Sequence, residues 1–215
     1  MLRFGLFGIG ITIEPFFWLS ALLLNASAFD SGPGWISDMA AWVLVVLVSV
    51  LWHELGHAFA FQWFGYRPSI VLQGFGGFAT APGAANLPRW KDVIISLAGP
   101  MFGLGLFLVP YLLLTLGVIP PMNELAEGWR LILKYLLWAN LVWSLLNLVP
   151  IYPLDGGRIL LALFGPHRLR AALMTTIGVG VLFGIYLAVF SFSYFFLLFV
   201  IMMTYQNYQR LAVAR

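Results

Sequence analysis

Residues 47–64, LVSVLWHELGHAFAFQWF, place His53, Glu54 and His57 inside a run that is otherwise apolar. Residues four apart on an α-helix are offset by about 40°, so the two imidazoles share one face. Two neutral imidazole nitrogens on one face can hold a single Zn²⁺, and the adjacent Glu54 can reach a water on that ion. Zinc lowers the pKa of such a water toward about 7, which makes hydroxide available. Glu54 would accept the proton and later return it to a leaving amine. The competing reading is a chance match whose side chains are satisfied by helix neighbours. Against it, burying two imidazoles and a carboxylate in a membrane without a compensating ion costs on the order of several kcal/mol. Only one other histidine, His167, occurs in the chain.

A catalytic zinc keeps three protein ligands and one open position. The chain has no cysteine, so any metal site must use nitrogen and oxygen donors. The candidates for the third ligand are Glu14, Asp92, Asp155 and His167. Asp155 stands out within NLVPIYPLDGG, residues 147–157. Pro150 and Pro153 should end a helix, and Gly156-Gly157 release the backbone, so a carboxylate there can turn back toward a helix bundle. The alternative is an aspartate that merely caps a helix beginning at Gly156. His167 and Asp92 read as surface residues beside basic neighbours, and Glu14 sits at the entry to an apolar stretch.

The elements that must position these groups are hydrophobic helices. Of 215 residues, 62% are hydrophobic and 9% charged, well below the roughly 25% charged of soluble domains. Runs of about 20 apolar residues recur, which is enough to span a bilayer. The expected fold is an all-α polytopic membrane protein with about six transmembrane helices, forming one domain over residues 1–215. The spans are expected near 15–28, 39–64, 93–118, 129–149, 171–190 and 193–209. A short membrane-associated β element accompanies them. Ile9, Ile11 and Ile13 alternate as in a strand, and SIVLQGFGGFAT (69–80) reads as a strand, a tight turn and a second strand. Arg3, an apolar core and Ala26-Ser27-Ala28 also admit a signal-peptide reading, which Glu14-Pro15 interrupts.

Loop charges orient the spans. With the N-terminus inside, Arg3, Arg67, Arg89, Lys91, Arg158, Arg168, Arg170, Arg210 and Arg215 fall on the cytoplasmic side. Only Arg130 and Lys134 fall outside, a positive-inside bias of nine against two. Both termini are therefore expected in the cytoplasm. Counted from Trp42 as an interfacial residue, the histidines lie about 17 to 22 Å along the helix, in the cytoplasmic half of the bilayer. The net charge of +3 is too small to indicate nucleic acid.

The motifs HELGH (53–57) and NLVPIYPLDGG (147–157), in this order and spacing, resemble the site-2 proteases, intramembrane zinc metalloproteases. GFGG (74–77), SLAGP (96–100) and GITIEPFFWL (10–19) are similar to other recurrent segments of that family. The resemblance implies one Zn²⁺ per chain on His53, His57 and Asp155, with Glu54 as catalytic base. It implies a single-span membrane protein as substrate, cut in or near its transmembrane segment in a prokaryotic plasma membrane. The chain departs from many relatives at Glu14, where they carry a histidine, and 215 residues leave no room for their PDZ or CBS domains.

A substrate helix must unwind before it can be cut, and its exposed backbone then needs partners. The hairpin at 69–80 could supply an edge, with Gly74, Gly76 and Gly77 permitting close approach; a plain re-entrant loop is the alternative. Asn140 and Asn147 are candidates to donate to the oxyanion or hold the scissile carbonyl, interhelical hydrogen bonding being the alternative for each. Two other functions fit the same residues less well. A divalent-metal transporter would need no Glu54, and a non-catalytic scaffold would need no intact His53, Glu54, His57 and Asp155.

Overall fold

The computed structural model describes residues 1–25, 32, 34–74, 76–84, 87–190 and 194–214, without the side chains of Tyr194 and Phe195. The alanines of the signal-peptide reading lie outside the described residues. The chain divides into two compact units, residues 1–86 with 98–144, and residues 87–97 with 145–215.

The first unit opens with two strands, β1 (Leu2–Leu6) and β2 (Ile9–Ile13). Phe7 and Gly8 between them both have positive φ, 53° and 74°, the backbone of a two-residue hairpin turn. Helix α1 (Pro15–Leu23) and the long helix α2 (Trp35–Trp63) follow. The chain then returns to the sheet as β3 (Ser69–Gln73) and β4 (Gly76–Thr80). The sheet order is β1-β2-β3-β4, with β2 and β3 parallel and both outer pairs antiparallel. The strand at Ile9–Ile13 and the hairpin at 69–80 thus form as their alternation predicts. They belong to one four-stranded sheet, and β1 joins it as a strand the sequence pattern did not single out.

Alternation sets the faces of this sheet. Ile9, Ile11, Ile13, Ile70, Leu72 and Ala79 are all buried. Ile13 pairs with Leu72, and Leu72 pairs with Gly77, so these three residues form one rung of the buried face. Gly77 leaves that rung without a side chain. Strand β3 is interior and β4 is an edge, so the Ile70 and Leu72 backbone is already paired on both sides.

Helix α2 carries the H-E-x-x-H motif near its C-terminal end. Its buried face runs through Trp42, Val46, Ser49, His53, His57 and Ala60, a spacing of three and four. Trp42 is not an interfacial anchor. It is buried, its indole N–H donates to the Ala21 carbonyl at 2.9 Å, and its ring packs on Tyr135 and Trp138. The helix begins at Trp35, so the histidines lie about 27 to 33 Å along it. Helices α3 (Arg89–Thr115) and α4 (Glu127–Asn147) contribute residues 98–115 and 127–144 to this unit.

The second unit contains α5 (Asp155–Phe164), a 3₁₀ turn at Pro166–Arg168, α6 (Leu169–Phe190) and α7 (Tyr194–Val213). Helix α5 starts at Asp155, one residue before the Gly156 start of the capping alternative. Ile151 and Leu154, from the segment before it, pack in a core with Leu187, Val200 and Met203.

Among the described residues, three helices are long and apolar enough to cross a membrane: Trp35–Trp63, Arg89–Thr115 and Pro166–Phe190. Helix α1 accounts for 9 residues of the span expected near 15–28. Charged residues in the first turns of α4 and the polar run TYQNYQR in α7 dilute the other two expected spans. The chain is a mostly helical membrane protein with a small sheet.

Candidate metal centre

His53 and His57 lie one helical turn apart on the buried face of α2. Their Nε2 atoms face each other at 3.2 Å, with ring centroids 4.9 Å apart and planes at 78°. Both residues are buried, at 3% and 5% exposure. Two nitrogens bound tetrahedrally to one zinc at 2.0–2.1 Å would be separated by about 3.3 Å. The pair therefore has the spacing of two ligands on one ion.

Glu54 is also buried, and its side chain runs under the sheet. A Cβ built at Gly77 would stand 2.8 Å from Glu54 Cγ, 3.2 Å from its Cδ and 2.7 Å from Leu72 Cδ2. The vacancy in the Ile13–Leu72–Gly77 rung is filled by the Glu54 stem. By contrast, a Cβ at Gly76 would meet only Trp143 at an ordinary 3.7 Å. Gly74 adopts φ +52° in the turn, and its carbonyl accepts a hydrogen bond from Ser20 Oγ of α1.

Helix α3 closes on the same face. A Cβ at Gly99 would strike His57 Nε2 and stand 2.8 Å from His53 Nε2. Gly56 on α2 likewise leaves room for α3, since its Cβ would lie 2.6 Å from the Ala98 carbonyl oxygen and 2.9 Å from Phe102. Trp52 donates its indole N–H to the Phe102 carbonyl at 3.1 Å. The lack of a side chain at Gly99 thus makes room for the imidazole pair.

Asn140 is 1% exposed and reaches α2 from α4. Its Nδ2 donates to Ser49 Oγ at 2.9 Å and to the Leu136 carbonyl at 2.8 Å. Both amide hydrogens are committed, so Asn140 has no donor left for an oxyanion. It acts instead on Ser49, one turn before His53 on the same helix face. Asn147, the last residue of α4, is half-buried.

Asp155 is the first residue of α5, with Leu154 as its N-cap, so it does not cap a helix beginning at Gly156. It is buried at 6% exposure. The glycines after it permit a tight return of the chain. A Cβ at Gly156 would strike the Leu148 carbonyl, and one at Gly157 would strike the Ile151–Tyr152 peptide. Asp92, another candidate, pairs with Arg158 at 3.8 Å with both side chains about one-third exposed. His167 is exposed in the 3₁₀ turn, and the Glu14 backbone N–H extends the sheet by donating to the Leu72 carbonyl.

His53 and His57 offer two nitrogens and Asp155 one oxygen, and all three residues are buried. This donor set, with no sulfur, fits a zinc site that keeps an open position.

Residues 41–191 match the family model for peptidase family M50. The chain is 31% identical over 155 residues to stage IV sporulation protein FB of Bacillus subtilis, covering 72% of this chain and 47% of that protein. It is 29% identical over 162 residues to the zinc metalloprotease MJ0392 of Methanocaldococcus jannaschii, covering 74% and 44%. It thus spans less than half the length of either relative. Among solved structures, the site-2 protease from Methanocaldococcus jannaschii superposes with a TM-score of 0.63 over 98% of this chain and 94% of that one, at 24% identity, so the fold is shared. The paired motifs and the matched length lead to one conclusion: the chain belongs to peptidase family M50, the site-2 protease family.

Proposed function

We infer that this chain is an intramembrane zinc metalloprotease that hydrolyses a peptide bond in or near the transmembrane segment of a membrane-tethered, single-span protein. The observation that carries the reading is the buried His53–His57 pair, with Nε2 atoms 3.2 Å apart and Glu54 between them in sequence. His53, His57 and Asp155 would hold the ion. Bound zinc supplies Lewis acidity, which polarises a carbonyl and brings the pKa of water down toward about 7. Glu54 takes the proton of the attacking water and passes it to the leaving amine. Its stem, seated in the Gly77 vacancy, holds the carboxylate in one place for both transfers. Burial of the site keeps bulk water away from this exchange.

The substrate enters as an extended strand. Its unwound backbone pairs with the free edge of β4, where Gly76 offers close approach; β3 cannot serve, being interior. Asn147, the last residue of α4, is the side chain assigned to hold the scissile carbonyl. The finer architecture goes with this reading: six membrane crossings in one protease domain, both termini in the cytoplasm, and the site in the cytoplasmic half of a prokaryotic plasma membrane. The nine-to-two distribution of basic residues supports that orientation.

The test is cleavage of a panel of single-span substrates by the purified chain in lipid vesicles. Wild type is expected to cleave. Glu54→Gln should bind zinc without cleaving, and Asp155→Ala should lose both properties. Zinc binding with divalent-metal flux and no cleavage would replace the protease by a transporter. Neither activity would leave a scaffold.

A further inference from the structure

Helix α7 lies beyond residues 41–191, the part of the chain that the family model matches. One of its faces, Met203, Asn207 and Arg210, meets the segment that leads into Asp155. Met203 packs in the core with Ile151 and Leu154. The Arg210 guanidinium sits 4.0 Å from the centre of the Tyr152 ring. Asn207, 0% exposed, donates its Nδ2 to the Tyr152 carbonyl at 2.6 Å and to the Met203 carbonyl at 2.9 Å. Both neighbours are carbonyl oxygens, so the amide must present nitrogen there; the flipped rotamer would set oxygen against oxygen. A fully buried amide is costly in this setting unless it is needed, and the carbonyl it serves lies three residues before Asp155.

We propose that Asn207 is a positioning residue for Asp155. Its hydrogen bond fixes the carbonyl of Tyr152. The apolar contacts of Ile151 and Leu154 fix the segment on either side, and the Gly156–Gly157 return fixes the helix that follows. The carboxylate is thereby delivered by a backbone held at every turn. Orienting contacts around metal ligands characteristically change metal affinity by about 10- to 100-fold. Asn207 acts through the chain and not on the carboxylate directly, so the effect belongs near the lower figure. The proposal rests on Asp155 being a zinc ligand.

The experiment is a zinc titration of the purified full chain against a competing chelating dye, at a temperature where every variant is shown to be folded. Asn207→Leu keeps the volume and removes the donors. Asn207→Ala serves as the second variant in case Asn207→Leu does not fold, and Asn207→Gln restores an amide. The expected result is about a tenfold weaker Kd for zinc in Asn207→Leu and Asn207→Ala. Asn207→Gln should recover at least part of the affinity, and adding Asn207→Leu to Asp155→Ala should cause no further loss. Should Asp155→Ala weaken zinc binding while folded Asn207→Leu or Asn207→Ala stays within twofold of wild type, the positioning role is wrong and the ligand assignment stands. Should Asp155→Ala itself leave zinc affinity unchanged, the ligand assignment fails, and the proposal fails with it.

Discussion

Gly77 of β4 and Glu54 of α2 share one space: the methylene stem of the glutamate occupies the position a side chain at residue 77 would take. Any larger residue there must push the carboxylate away. We expect Gly77→Ala to lower kcat about 100-fold, the lower end of the range for proton transfer by a positioned side chain, with zinc content unchanged. Gly76→Ala, whose Cβ meets only Trp143 at 3.7 Å, should stay close to wild type. Equal losses in the two variants would point to strand distortion and away from Glu54.

Gly99 stands in the same relation to the imidazoles. A methyl at this position collides with His57 Nε2. Gly99→Ala should therefore lose zinc, read as metal content of the purified protein. Gly105→Ala, with nothing within 4 Å of its Cβ, should keep zinc and gain up to about 1 kcal/mol of helix stability.

The Asn140–Ser49 hydrogen bond joins α4 to α2 one turn from His53. Interhelical hydrogen bonds in membranes are worth about 0.6 kcal/mol on average and at most about 1.7. A double-mutant cycle of Asn140→Leu and Ser49→Ala, read by unfolding in detergent, should return a coupling in that range. A coupling of zero would mean that this hydrogen bond does not hold α4 to α2.

The sheet offers substrate an edge at β4, not at β3. Proline replacement at Ile70 or Leu72 would break interior ladder bonds and so would report on the sheet itself. The informative scan places single prolines along Gly76–Thr80. In an edge strand, successive N–H groups point alternately inward and outward. Prolines at outward positions should abolish cleavage while zinc is retained. Undiminished cleavage at all of these positions would dismiss strand addition.

How far the sequence could be read differs residue by residue. His53, Glu54 and His57 were legible because helical spacing alone puts both imidazoles on one face. Asp155 was legible because prolines and glycines mark the break that holds it. The strands at Ile9–Ile13 and 69–80 showed their alternation. Other features depend on contacts that no local pattern encodes. The rung that aligns Gly77 with Leu72 and Ile13 requires the parallel β2–β3 register, set by a crossover through α1 and α2. Gly99 looks like any helix-packing glycine until α3 is seen against the imidazoles. Asn140 looks available for catalysis until both of its donors are found engaged. Trp42 reads as an interfacial aromatic, but its N–H is taken by a carbonyl of α1. Asn207 had no motif to draw notice, because its partner is a backbone carbonyl 55 residues away.

Whether His53, His57 and Asp155 hold one zinc ion can be read by X-ray absorption at the zinc edge of the purified chain. The expected spectrum is that of one zinc per chain in a shell of nitrogen and oxygen at about 2.0–2.2 Å, with an imidazole signature of two histidines. Asp155→Ala should alter that shell or empty it. Absence of zinc from the wild-type protein, or a spectrum unchanged by Asp155→Ala, would mean that these three residues do not form the zinc site.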